Sequence, residues 1–210
     1  MKYDLYVVTD RKIGRGLGHA EIAKMAAKGG ADVVQLRDKT MSKRELYLTA
    51  VEMRQVLSDL GASFIVNDHV DVALAAKADG VHLGQDDLPL EAARMIVPED
   101  FIIGVSVGSV AHAVRAEMDG ADYIALSPVF DTASKDDAGA GKGLEMLTEI
   151  RKAVRVPVIA IGGIDKNNVR SVMATGADGV AVISAVVGQK DIETAAREMK
   201  TAVQRAKLNR

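Results

Sequence analysis

Gln35, Arg37 and Lys39 stand at alternate positions of one short apolar run, so two cations and an amide leave the same face of an extended segment. Lys135 adds a third cation further along, and Asp68 and Asp87 add two separated carboxylates. Arg and Lys neutralise phosphate oxygens, while a hard divalent ion such as Mg²⁺ takes one or two carboxylates and fills its shell with water and phosphate. Brought to one place, this set suits a phosphorylated ligand with a bound divalent ion. Two small-residue segments, Ala160-Ile161-Gly162-Gly163-Ile164 and Val182-Ile183-Ser184-Ala185, fit a second phosphate cradle, because small side chains let backbone N–H groups approach an anion.

A repeat shows how such residues could converge. A short Gly-Ala-Asp or Ala-Asp-Gly phrase followed by an apolar run begins near Gly30, Ala78, Gly120 and Gly176, with about fifty residues between copies. That interval is twice a strand plus a crossover helix, so four copies mark eight βα units. Strands are expected at Leu5 to Thr9, Val33 to Leu36, Ser63 to Val66, Gly80 to Leu83, Ile102 to Ser106, Tyr123 to Leu126, Val158 to Ile161 and Gly179 to Ile183. Helices are expected at Ala20 to Lys28, Lys43 to Leu60, Val70 to Ala76, Leu90 to Ile96, Val110 to Met118, Leu144 to Val154, Asn168 to Thr175 and Ile192 to Ala206. Gly29-Gly30, Gly61, Gly120 and Gly176 fall where helices should stop. The alternation predicts an α/β fold, a single-domain (β/α)8 TIM barrel spanning residues 1–210. In register, the copies place Gln35, His82, Ala125 and Ala181 in one interior layer. Val33, Gly80, Tyr123 and Gly179 lie beneath, with the bulky Tyr123 filling space left by the two glycines. Barrel chemistry belongs at the carboxyl ends of the strands, where the polar residues gather.

Composition narrows the partners. A net charge of −2 with scattered cations gives no reason to expect a nucleic-acid surface. There is no Cys, which excludes disulfides and thiolate metal sites and fits a cytoplasmic setting. No apolar stretch reaches the length of a membrane span, and no signal-peptide pattern opens the chain. Homo-oligomerisation is left open.

Several of these residues have plainer readings. Asp68 and Asp87 fit helix N-caps as well as metal ligands, and Ser42 fits a cap. His82 can be a hydrogen-bonded core histidine or a ligand contact. His19, His69 and His112 lack metal-pair spacing and read as surface residues. Gly139 to Gly143 lacks the spacing of a nucleotide-binding loop, and residues 131–143 read as a mobile βα loop and candidate lid.

The segments Tyr6-Val7-Val8-Thr9-Asp10, Gln35-Leu36-Arg37-Asp38-Lys39, Val66-Asn67-Asp68, His82-Leu83-Gly84-Gln85-Asp86-Asp87, Gly104-Val105-Ser106, Pro128 to Lys135 and Ala160 to Ile164 resemble the thiamine-phosphate synthase family in order along nearly the whole chain. The resemblance implies a transferase that joins a hydroxymethylpyrimidine diphosphate to a thiazole phosphate and releases diphosphate. It implies that Gln35, Arg37, Lys39, Asn67, Ser106 and Lys135 hold the pyrimidine diphosphate, with Asp38 counted in the same motif. By the same resemblance, Arg37, Lys39, Lys135 and Ser106 would carry the catalytic roles. Asp68 and Asp87 would hold Mg²⁺, and Thr132, Ala133, Ser134, Gly163, Ile183 and Ser184 would line the thiazole phosphate site.

Two other functions stay on the table. A thiazole tautomerase shares the barrel, but its acid/base His falls where this chain has Gly108. A non-catalytic binder of phosphorylated thiamine precursors should have lost Arg37, Lys135 or a carboxylate, and all are present.

Overall fold

In the computed structural model, which describes residues 1–132, 134 and 139–209, strands and helices alternate without interruption. The strands are β1 (Leu5–Val8), β2 (Val33–Leu36), β3 (Ser63–Asn67), β4 (Gly80–Leu83), β5 (Ile102–Val107), β6 (Tyr123–Leu126), β7 (Val158–Ile161) and β8 (Gly179–Val182). The helices are α1 (His19–Lys28), α2 (Lys43–Leu60), α3 (Val70–Ala75), α4 (Leu90–Ile96), α5 (Val110–Met118), α6 (Gly143–Ala153), α7 (Val169–Ala174) and α8 (Ile192–Leu208). Each strand pairs in parallel with its neighbour in sequence, and β8 returns to β1, so the sheet closes into the expected barrel. Among the described residues no helix is long and apolar enough to cross a membrane.

Two apolar shells hold the barrel. On β1, Leu5 and Val7 pack outward against helices while Tyr6 and Val8 point inward, and Val34 and Leu36 of β2 are outward with Val33 inward, as strand alternation requires. The interior filling differs in one respect from the sequence expectation. Tyr123 occupies the space of Gly104, its register partner on β5, where an added Cβ would lie 2.0 Å from the ring. Gly80 is instead crowded by Ile102 and Gly179 by the Tyr3 carbonyl. The tyrosine therefore needs the glycine of the neighbouring strand, not the two glycines of its own layer.

The repeated aspartate has a job that its spacing alone did not reveal. Asp32, Asp79, Asp122 and Asp178 each accept the backbone N–H of Leu5, Phe64, Ile103 and Val158, at 2.7 to 2.9 Å. Each aspartate's own N–H donates back to the carbonyl of that same residue. A cation seals every copy: Lys200, Arg54, Arg94 and Arg151 respectively. Four identical reciprocal clamps thus tie each even strand's entry to the odd strand before it, on the floor opposite the polar mouth.

Local caps place the elements that carry the mouth. Ser42 caps α2 with a full capping box to Glu45, and Gly30, Gly61, Gly120 and Gly176 take left-handed backbones at helix ends, while Gly29 stays right-handed.

Candidate active site

The mouth at the carboxyl ends of the strands contains two polar regions. On the β2 to β5 side, Arg37 follows β2 and is nearly buried, Asn67 ends β3, and Ser106 lies on β5. Lys39 donates to Asp68 at 2.6 Å, so its ammonium rests on a carboxylate while its side chain stays half exposed.

Neither predicted metal ligand is a helix cap. The residue preceding α3 is His69, which makes no side-chain cap bond, and the one preceding α4 is Pro89. Asp68 holds a left-handed backbone, φ 62°, that turns it back towards the mouth, with its N–H bonded to the His82 carbonyl. Asp87 accepts the Gly84 N–H at 2.6 Å. Burial and the hydrogen-bonded Asp68 carboxyl push the Asp87 carboxyl above its ordinary value. Asp68 and Asp87 offer only carboxylate oxygens, the donor type a small hard cation takes, and among the described residues no cluster of three or more ligating side chains forms.

Asp38 is occupied by its own loop. One oxygen accepts from the Thr40 N–H, the Thr40 hydroxyl and the Met41 N–H, and the other contacts His19 Nε2 at 3.1 Å. Although burial opposes it, these bonds bring the Asp38 carboxyl down to about 2. His19 is correspondingly not a surface residue. It is buried at the start of α1, with Nδ1 2.7 Å from the Thr9 hydroxyl, and burial lowers its basicity despite Asp38. The sequence offers no local sign of this, because the partner lies nineteen residues away on another element. His112 is exposed and His69 half-buried.

The signs of the two shifts give a testable profile. Neutral His19 binds a proton less readily folded than unfolded, so stability falls as pH drops below about 6.5. Asp38 adds a second loss only below about 4, continuing towards pH 2. Thermal unfolding of His19→Gln should therefore lack the first decline and keep the second; an unchanged profile between pH 7 and 5 would remove His19 from this account.

On the β6 to β8 side, a pocket of about 360 Å³ is lined by Thr132, Ser134, Gly163, Ile183 and Ser184. These are the predicted phosphate-cradle residues whose placement is described. Ser134 and Ser184 hydroxyls are 3.1 Å apart, and the Thr132 hydroxyl accepts the Ser134 N–H. Ala133 and Lys135, also expected here, lie outside the described residues. The base of the 131–143 segment is pinned: Lys142 N–H bonds the Pro128 carbonyl, Gly143 N–H the Val129 carbonyl, and Gly141 N–H the Asp131 carboxylate.

Beneath the mouth a second, inner cavity is lined by Gln35, His82, Ser106, Tyr6 and Tyr123. Ile161 and Ala181 line both this cavity and the 360 Å³ pocket, so the two regions share one wall. Lys142 is a cation that sequence reasoning missed here; its Cε lies 3.7 Å from where a side chain on Gly108 would begin.

A closed parallel barrel with cations, paired carboxylates and a glycine-serine pocket at one mouth defines a phosphate-ligand barrel of the enzyme kind. The family model described as thiamine monophosphate synthase matches residues 5–186, and the chain belongs to that family. It is 61% identical over 207 residues to the thiamine-phosphate synthase of Methanoculleus marisnigri, covering 99% of this chain and 98% of that one. It is 54% identical over 209 residues to the thiamine-phosphate synthase of Methanocella arvoryzae, covering 100% and 99%. Among solved structures, thiamine phosphate pyrophosphorylase from Pyrococcus furiosus superposes with a TM-score of 0.90 at 45% identity, covering 97% of this chain and 96% of that one.

Proposed function

We propose that the chain is a thiamine-phosphate synthase. It condenses 4-amino-2-methyl-5-hydroxymethylpyrimidine diphosphate with hydroxyethylthiazole phosphate, giving thiamine monophosphate and diphosphate. The observation that carries this reading is the shared wall: the phosphate pocket and the inner cavity under Gln35 and Ser106 meet at Ile161 and Ala181, so ligands held over the two would lie side by side.

In this reading the pyrimidine lies over Gln35, Asn67 and Ser106, with its diphosphate towards Arg37 and Lys39. Asp68 and Asp87 would hold Mg²⁺, which supplies Lewis-acid stabilisation of the leaving diphosphate when bound. The methylene–oxygen bond breaks first and its electron pair leaves with the diphosphate. Arg37 neutralises that charge from a nearly buried position, where it is worth more than in water. Lys39, which rests on Asp68 beside Arg37, would add a second positive charge to the diphosphate. The amino-substituted pyrimidine ring stabilises the methyl cation until the thiazole nitrogen captures it, so no protein nucleophile is needed. Thr132, Ser134, Gly163, Ile183 and Ser184 orient the thiazole by its phosphate, and Ala133 and Lys135 keep the roles that the resemblance gives them. Asp38 serves as a positioning residue, because its oxygens are spent on His19 and the Thr40 turn between Arg37 and α2.

Incubation with both precursors and Mg²⁺ tests the reading. Thiamine phosphate and diphosphate should appear together and only when all three are present. Binding of either precursor with no product would overturn it.

A further inference from the structure

A hydrogen-bonded chain crosses the barrel interior from one pyrimidine-side residue to the other. Gln35 Nε2 donates to the Tyr6 hydroxyl at 2.7 Å, and the Tyr6 and Tyr123 hydroxyls are 3.0 Å apart. The Tyr123 hydroxyl is 3.0 Å from His82 Nδ1, and His82 Nε2 is 2.9 Å from Ser106 Oγ. Gln35, Tyr6, Tyr123 and His82 are buried, and among the described residues no buried side-chain polar atom lacks a partner.

The Gln35 amide, with Nε2 on the Tyr6 hydroxyl, gives the chain its direction, and proton counting carries it along. Each phenol has one proton, retained because burial pushes both hydroxyls above their ordinary values. Tyr6 accepts from Gln35, so its proton goes to Tyr123; Tyr123 then donates to His82 Nδ1. His82 is thereby the neutral Nε2–H tautomer and donates to Ser106. A cationic His82 would donate to Tyr123 from the other side and leave one of the two phenol protons without an acceptor. Reversing any one link reverses them all. The two ends are consequently tied: Gln35 keeps Oε1, an acceptor, for the mouth, and Ser106 keeps its hydroxyl proton, a donor.

We propose that this relay of Tyr6, Tyr123 and His82 sets the specificity for an aminopyrimidine, fixing Gln35 as the acceptor for the exocyclic amino group and Ser106 as the donor to an acceptor atom of the same ligand. The proposal rests on the reading of Gln35 and Ser106 as pyrimidine-side residues. An oxo analogue, with the amino group replaced, meets Oε1 with an oxygen and cannot turn the amide over without turning the whole relay. Tyr6, Tyr123 and His82 are positioning residues, since they act through Gln35 and Ser106.

The test compares the aminopyrimidine diphosphate with its oxo analogue in the wild type and in Tyr6→Phe, Tyr123→Phe and Val33→Ala. Loss of one buried polar link is expected to lower the amino-over-oxo ratio of kcat/KM about tenfold or more in both tyrosine variants. Val33→Ala, which removes inward packing without touching the relay, should lower stability and leave the ratio unchanged. Nitrogen-15 histidine spectra of the wild type should show His82 as the neutral Nε2–H tautomer, a result that does not depend on any variant folding. A cationic or Nδ1–H His82 would overturn the proposal. So would an unchanged ratio in folded Tyr6→Phe, provided that Gln35→Ala and Ser106→Ala raise KM for the aminopyrimidine diphosphate. If those two leave KM unaltered, the site assignment itself fails and the relay proposal falls with it.

Discussion

Asp87→Asn should make the metal-free protein more stable and at the same time nearly inactive. Burial and the neighbouring Asp68 carboxyl hold the Asp87 carboxyl above its ordinary value, as expected where two like charges cannot both ionise freely. Asparagine supplies the arrangement without the conflict: its Oδ1 can still accept the Gly84 N–H and its Nδ2–H can donate to Asp68. The melting temperature without Mg²⁺ should rise above that of the wild type, most clearly at alkaline pH, where the native pair is most charged. Mg²⁺ should raise the melting temperature of the wild type and leave that of the variant nearly still, because an amide is a poorer ligand than a carboxylate. Turnover at saturating Mg²⁺ should fall about 10²–10³-fold, the size associated with losing one well-placed electrostatic stabiliser. A variant that loses stability without metal yet keeps its Mg²⁺ response would show that Asp87 is structural.

Gly162→Ala should damage the other half of the mouth. Gly162 has φ 104°, a left-handed backbone that side chains rarely adopt, and an added Cβ would lie 2.4 Å from Pro128 Cβ and 2.7 Å from its Cα. The neighbouring segment cannot easily retreat, since Val129 N–H bonds the Ile161 carbonyl and Phe130 N–H bonds the Gly162 carbonyl. Backbone strain and overpacking together should cost about 2–5 kcal/mol of stability. The segment leading to Thr132 and Ser134 must shift away from Gly163, which opens the phosphate pocket. Calorimetric titration should find affinity for the thiazole phosphate reduced at least about 10²-fold, with binding of the pyrimidine diphosphate retained. Equal loss of both ligands would mean that the two pockets are not separable.

The strands were legible to within a residue or two because each is a short apolar run bounded by a turn signal, and β2, β4, β6 and β7 match to the residue. The inward layer was legible too, since alternation needs only the register of the repeat. What the sequence could not convey is who partners whom across the barrel. His19 reads as an ordinary polar residue at a helix start until Asp38 and Thr9 are folded against it. Asp68 and Asp87 have the composition of caps, and only the left-handed turn at Asp68 and the Gly84 contact show that they are not. Likewise, nothing local tells that Lys39 rests on Asp68 or that Tyr123 fills the place of Gly104.

The four aspartate clamps on the barrel floor act as a thread gauge for the whole molecule. A strand that slid by one residue would exchange its inner and outer sets, turning Leu36 and Leu83 into the lumen and sending Gln35 and His82 out among the helices. By seizing both the N–H and the carbonyl of one residue on each odd strand, the clamps admit one setting for each of the four pairs they join. The chemistry at the mouth is thus indexed from the opposite end of the barrel, where no substrate arrives.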